Sequence, residues 1–292
     1  MSEHINKYID PLSDFGFKHL FGGEPNKEIM IAFLNALFEG EKHITDIAYN
    51  PTEYAGQARD HKKVCFDLLC TGDRGEQFIV EMQRAAHDNF EDRCIFYLSR
   101  LIHQQKLPGK DNWKVKLKEV FLIAILDFKM RNSLGDHYLQ SISLVNTCTG
   151  KIFHNGLGFK FLELPKFDKK ENELENELDK WAYILKHMHS LEQVPHYLDK
   201  RIFQKIFNIA EMGRLSAEQQ FLYETHLQDR ADYESTIEYA TNRGMEKGLE
   251  KGMEKGKLEI ALEIAREMKK ENFDLPKIAQ FTKLTIEQIS IL

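Results

Sequence analysis

Two short stretches in the first third of the chain are apolar runs broken by polar residues. Val64-Cys65-Phe66-Asp67-Leu68-Leu69-Cys70 and Gln77-Phe78-Ile79-Val80-Glu81-Met82-Gln83 flank the turn-rich Thr71-Gly72-Asp73-Arg74-Gly75. Two strand-like runs around such a turn predict a β-hairpin. From Arg84 to about Lys106 the apolar period changes to that of a helix. Phe90, Cys94, Tyr97, Leu98 and Leu101 fall on one stripe, with Asp92, Arg93, Arg100 and Gln104 away from it. Val120–Leu126 is short and continuously apolar, which predicts a strand buried on both faces, as at the centre of a mixed or parallel sheet. Further strands are expected near Tyr138–Val145 and Phe159–Leu164.

Helices bracket these strands. Ser13–Phe21 opens with a capping residue, and a second helix is signalled by Glu24-Pro25, the apolar Ile29, Phe33 and Leu37, and Gly40 beyond its end. After Pro165, helices are expected at Glu171–His189, Asp199–Glu211 and Ala217–His226, with another leading into the tail. The order predicts an α/β core with a helical C-terminal half. We divide the chain into a core (1–165), a helical extension packed on it (166–243) and a glycine-repeat tail (244–292).

Composition narrows the class. Hydrophobic residues make up 42% and charged residues 29%, ordinary for a globular protein. No apolar run approaches the roughly 20 residues that span a bilayer. The first residues lack the basic start and apolar stretch of a secretory signal. Cys65, Cys70, Cys94 and Cys148 show no paired spacing, so reduced thiols and a cytoplasmic location are expected. The formal charge of −6 gives no global basic footprint, and nucleic-acid binding would need a local patch. Arg100, Lys106, Lys110, Lys114, Lys116 and Lys118 offer one, unless they form a solvated helix end and loop. The acidic stretch Glu163–Asp179 is expected as a solvated helix face. There is no phosphate-binding glycine loop, no dinucleotide fingerprint, no serine-hydrolase elbow and no paired-histidine metal motif.

The hairpin carries the chemistry. Side chains alternate faces along a strand, so Asp67 lies with Cys65 and Leu69, and Glu81 with Ile79 and Gln83. A three-residue loop, Asp73-Arg74-Gly75, would put Gly75 at its left-handed position and set Asp67 directly opposite Glu81. A slip of one residue would separate the two carboxylates onto different faces. Opposed carboxylates would sit roughly 5 Å apart at Cβ, a destabilising arrangement that a divalent cation neutralises. Hard oxygen ligands suit Mg²⁺ or Mn²⁺, and a bound metal lowers the pKa of water and stabilises charge on an attacked phosphate. Taken singly, either acid could simply face solvent.

Phe66-Asp67, followed fourteen positions later by Glu81-Met82-Gln83, resembles the D…(D/E)-x-K signature of PD-(D/E)XK nucleases. Asp14-Phe15-Gly16-Phe17-Lys18-His19-Leu20-Phe21 and Val80-Glu81-Met82-Gln83 are similar to the Rpn family of recombination-promoting nucleases, also described as YhgA-like transposases. The resemblance runs from about residue 8 into the tail. It implies a restriction-endonuclease-like α-β-β-β-α-β core, Mg²⁺-dependent DNA cleavage (with Mn²⁺ able to substitute) and a link to recombination or mobile elements. Carried over, Asp67 and Glu81 would be metal ligands and Gln83 would take the lysine's position. Asp14 could add a carboxylate or merely cap its helix. Lys18 could reach a phosphate or pair with Asp14. Arg93 and Arg100, seven residues apart on one helix face, could approach the DNA backbone or line a solvated face. No proline precedes Asp67, and glutamine carries no positive charge. A catalytically weak or inactive nuclease-fold oligomer that binds DNA or a protein partner is therefore the competing reading.

In the tail, glycine recurs every fourth residue at Gly244, Gly248, Gly252 and Gly256, interleaved with Met/Leu, Glu and Lys. Each helical glycine costs about 1 kcal/mol relative to alanine. The repeat therefore suggests a flexible spacer or a helix paired closely with another, hence a homo-oligomer; the charges exclude a membrane dimer. Leu258–Met268 predicts an amphipathic helix and Leu275–Ile291 a helix-turn-helix, with Thr285 and Gln288 as a capping box over a small core of Ile278, Ala279, Leu284, Ile286 and Ile289.

Overall fold

The computed structural model describes residues 6–54, 64–105, 116–131 and 135–292, so Lys106, Lys110 and Lys114 of the expected basic patch lie outside the described residues. Contacts divide the chain into two compact units, Met1–His226 and Leu227–Leu292.

In the first unit, α1 (Asp14–Phe21) and α2 (Lys27–Leu37) precede β1 (Ile47–Tyr49), β2 (Glu53–Tyr54), β3 (Val64–Cys65), β4 (Leu68–Gly72) and β5 (Gln77–Gln83). Then come α3 (Phe90–Gln104), β6 (Val120–Leu126), β7 (Leu139–Val145), β8 (Ile152–Glu163), α4 (Glu177–His187) and α5 (Arg201–Ala210). Six strands form one sheet in the order β1-β4-β5-β6-β8-β7, and β2 and β3 pair separately. The hairpin strands are antiparallel, whereas β5–β6 and β6–β8 are parallel. The sequence α2-β1-β4-β5-α3-β6 is the expected α-β-β-β-α-β core, with the β2–β3 ribbon inserted. All seven residues of β6 are buried, as its unbroken apolar run requires at the centre of the sheet.

Helices cover both faces. On one, Cys94, Leu98 and Leu101 of α3 join Ile79, Leu122, Ala124 and Phe161 in a single apolar cluster. On the other, Phe38 after α2 meets Phe78 and Phe121 edge-on at 5.8 and 5.1 Å. Farther along the same helical layer, Trp181 of α4 contacts Phe21, Phe33 and Phe203.

Three local expectations change. The run Val64–Cys70 is not one strand: β3 ends at Cys65, β4 begins at Leu68, and the chain crosses between sheets at Phe66–Asp67. The helix expected from Arg84 begins at Phe90, because Arg84 is held instead by Asp10 and the Leu12 carbonyl, both at 3.0 Å. Glu163–Asp179 is solvated only between its ends: Asp168, Glu171, Glu173 and Glu175 are exposed, whereas Glu163 and Asp179 are both 0% exposed. Lys166 and the Met130 amide bind Glu163, while Lys169 and Tyr138 bind Asp179.

One helix, α6 (Ala217–Lys270), runs unbroken from the first unit into the second, where a break after His226 had been expected. Gly244, Gly248, Gly252 and Gly256 all lie within it, and a methyl group added at any of them would meet open space. In the second unit, α7 (Leu275–Thr282) and α8 (Ile286–Ser290) follow. The capping box of Thr285 and Gln288 is formed, and Ala265, Ile278, Leu284 and Ile289 make the small core. Ile286, expected in that core, is exposed.

Candidate active site

The hairpin register follows from its loop. Gly75 takes φ +81°, a conformation cheap only for glycine, and Gly72 and Gly75 close the turn through hydrogen bonds of 2.8 and 3.0 Å to the Glu76 and Gly72 carbonyls. Pairing then runs from Thr71↔Gln77 to Leu68↔Val80. The next rung would be Asp67 opposite Glu81, and there the side chains replace the ladder. The Asp67 amide donates to Glu81 Oε1 at 3.3 Å, and the Met82 amide donates to Asp67 Oδ2 at 2.9 Å. Each carboxylate thus holds the other strand's backbone where β3 and β4 part.

The pair is enclosed. Glu81 is 5% exposed and shares its face with Ile79 toward α3. Burial first, then the Asp67 charge, pushes the Glu81 carboxyl up to about 8. Burial also raises Asp67 above the ordinary carboxylate range, and Asp14 adds to that, whereas the Met82 amide, Lys18 and Arg93 oppose it. Two acids so placed resist ionising together.

Neighbouring side chains complete the arrangement. Gln83 Nε2 donates to Glu81 Oε2 at 3.2 Å, and the Arg93 guanidinium donates to Gln83 Oε1. Arg93 also lies 5.9 Å from the Tyr97 ring centre. Arg84, one residue beyond Gln83, ties the end of β5 to Asp10 at 3.0 Å and Asp127 at 3.6 Å. That anchor fixes the segment leading into α1. Ser13, not Asp14, caps α1 by accepting from the Gly16 amide at 2.9 Å. Asp14 is therefore released from capping; it pairs with Lys18 at 2.7 Å, and both act electrostatically on Asp67.

A sequence model of the PD-(D/E)XK nuclease family transposases matches residues 11–240. The chain belongs to that family. Searches of curated proteins and of solved structures returned no match. The matched span of this PD-(D/E)XK chain includes the whole hairpin, α1 and α3, and so every side chain described above except Asp10.

Structure and sequence pick out overlapping residues. Asp67, Glu81 and Gln83 converge, and Asp14, Lys18 and Arg93 lie within electrostatic or hydrogen-bond reach of them. Arg100, two turns beyond Arg93 on α3, is half-buried and is not among the principal charges acting on the two carboxyls. Sequence reasoning missed the Arg84 anchor and the Arg93–Gln83 bond. The only signal for the first was an arginine directly after the polar end of β5; for the second, a basic residue one turn into the next helix. Among the described residues, no group of three or more His, Cys, Asp or Glu side chains is arranged to hold a metal ion, and no helix is long and apolar enough to cross a membrane.

Proposed function

We propose that this chain is a metal-dependent DNA endonuclease linked to recombination or transposition, with Asp67 and Glu81 as the metal ligands. The observation that carries this reading is the opposed pair of carboxylates at the mouth of the hairpin, Glu81 buried and Asp67 half-buried. Their donor set fits a hard divalent cation such as Mg²⁺, with Mn²⁺ able to substitute: all oxygen, and destabilised by mutual repulsion until a positive charge is shared. When bound, such a cation supplies an acidified water and charge stabilisation at the scissile phosphate.

The chain's own residues supply the rest. Asp67 and Glu81 are held by backbone amides, so neither needs to reorganise. Gln83 presents its amide N–H beside Glu81, where it can donate to a water or a phosphate oxygen. Asp14 offers a third carboxylate from α1, and Lys18 a cation for the DNA backbone. A DNA substrate implies action in the cytoplasm. The open glycine positions of α6 suit close pairing with a second copy of the chain.

Cleavage of supercoiled plasmid with Mg²⁺ or Mn²⁺ tests the reading. Nicking by the native chain that vanishes in Asp67→Ala and in Glu81→Ala is expected; cleavage that survives both substitutions would sink it. One observation favours the competing reading of a non-catalytic nuclease-fold oligomer, namely the neutral Gln83 at the position of the motif's lysine. That reading predicts Mn²⁺ binding no tighter than in Asp67→Ala.

A further inference from the structure

A neutral amide at Gln83 leaves this site without a cation on its own strand. The structure offers one from elsewhere: Arg93, on the first turn of α3, donates to Gln83 Oε1. We propose that Arg93 is the positioning residue of this site, acting through Gln83 to do jointly what a lysine would do alone. The proposal rests on the nuclease reading above and adds a division of labour to it.

A glutamine amide can lie either way round, and its neighbours decide which. Guanidinium has only donors and stays charged, so it accepts nothing but the carbonyl end of Gln83. The opposite end, Nε2, is thereby turned to Glu81 Oε2 at 3.2 Å. The flipped amide would set N–H against N–H at Arg93 and oxygen against oxygen at Glu81. Of the two neighbours only Arg93 is a donor in every state, since a carboxyl accepts when ionised and can donate when protonated. Arg93 has no such ambiguity.

The same guanidinium supplies charge. It stands one hydrogen-bonded side chain away from Glu81, where the missing lysine's ammonium would bring its own charge. Its own placement is firm: α3 is fixed to the sheet by Phe90, Cys94, Leu98 and Leu101, and the guanidinium lies near the Tyr97 ring. Strand and helix thus each contribute half of the motif's third residue, the donor from Gln83 and the charge from Arg93.

The test uses the full chain, supercoiled plasmid and Mn²⁺, with circular dichroism confirming the fold of every variant. Arg93→Ala should lower kcat by about 100-fold while KM for DNA moves by less than about three-fold, and Mn²⁺ binding measured by calorimetry should persist. Arg93→Lys, which keeps charge but not the fork, should fall between. The deciding variant is Arg93→Ala combined with Gln83→Lys, which restores a cation on the strand and should return to within about ten-fold of native kcat. A plain DNA contact would instead raise KM, and a packing role would lower stability without rescue; either result overturns the proposal. Native activity in Arg93→Ala overturns this inference alone, whereas a native chain that never cleaves overturns the nuclease reading and this inference together.

Discussion

Among the described residues, Asp179 and the Asp67–Glu81 pair are acids treated in opposite ways. Asp179, 0% exposed at the start of α4, accepts from Tyr138 at 2.5 Å, Lys169 at 2.9 Å and the Glu175 amide at 2.8 Å. Burial pushes its carboxyl up, but these donors more than offset that and leave it below the ordinary value. Glu81 is buried and Asp67 half-buried, yet each stands beside another acid, and both are raised. A buried acid supplied with partners holds a fold together. The Asp67–Glu81 pair is instead the site proposed above to hold a cation.

Substitutions should break this contrast in different ways. The largest effect is expected at the site: Asp67→Ala or Glu81→Ala should lower plasmid cleavage by about 1,000-fold or more, with circular dichroism unchanged. Asp179→Ala should do the reverse. It strands Tyr138, Lys169 and the α4 capping amides, so urea melts should show a loss of about 3–5 kcal/mol, while the folded fraction keeps its activity. A comparable loss of stability in Glu81→Ala would erase the distinction.

The pH dependence sharpens the same point. In the metal-free fold the Glu81 carboxyl is raised from its ordinary 4.5 to about 8. The native state therefore holds this proton more tightly than the unfolded chain. Its stabilising contribution is complete below about 4.5 and is lost as pH rises through about 8. Metal-free protein should melt on the order of 5 °C lower at pH 8 than at pH 5 from this source, and Glu81→Gln should flatten the dependence. Added Mg²⁺ should restore the melting temperature at pH 8 in the native chain only.

Smaller effects probe how the pair is held. Gln83→Ala should slow cleavage by about ten-fold and leave Mn²⁺ affinity nearly unchanged, since the amide assists the site without being one of its ligands. Gly75→Ala should cost about 1 kcal/mol, because φ +81° disfavours a Cβ. The added methyl would also lie 3.2 Å from the Lys118 side chain. Activity per folded molecule should survive, because the pairs from Thr71↔Gln77 to Leu68↔Val80 hold the register that the turn sets.

The readable parts were those written in local pattern. The bounds of β5 and β6 coincide with their apolar runs, and the three residues Asp73–Gly75 fix the register that opposes Asp67 to Glu81. What escaped was set by distant partners. Nothing local says that the chain leaves one sheet for another at Asp67. Arg84 reads as helix until Asp10, 74 positions away, claims it. Glu163 and Asp179 read as solvated because acids usually are, and only Lys166, Lys169 and Tyr138 reverse that. The continuity of α6 through four glycines contradicts local propensity. Arg93 was visible as a basic residue on the right helix, but its bond to Gln83 depends on how α3 crosses the sheet.

The opposed carboxylates of the hairpin are the proposed metal site. The most direct measurement is time-resolved nicking of supercoiled plasmid with Mg²⁺ or Mn²⁺, comparing the native chain with Asp67→Ala purified identically. Nicked and linear products are expected from the native protein and none from the variant. Equal cleavage by both proteins, or by neither, would contradict that assignment.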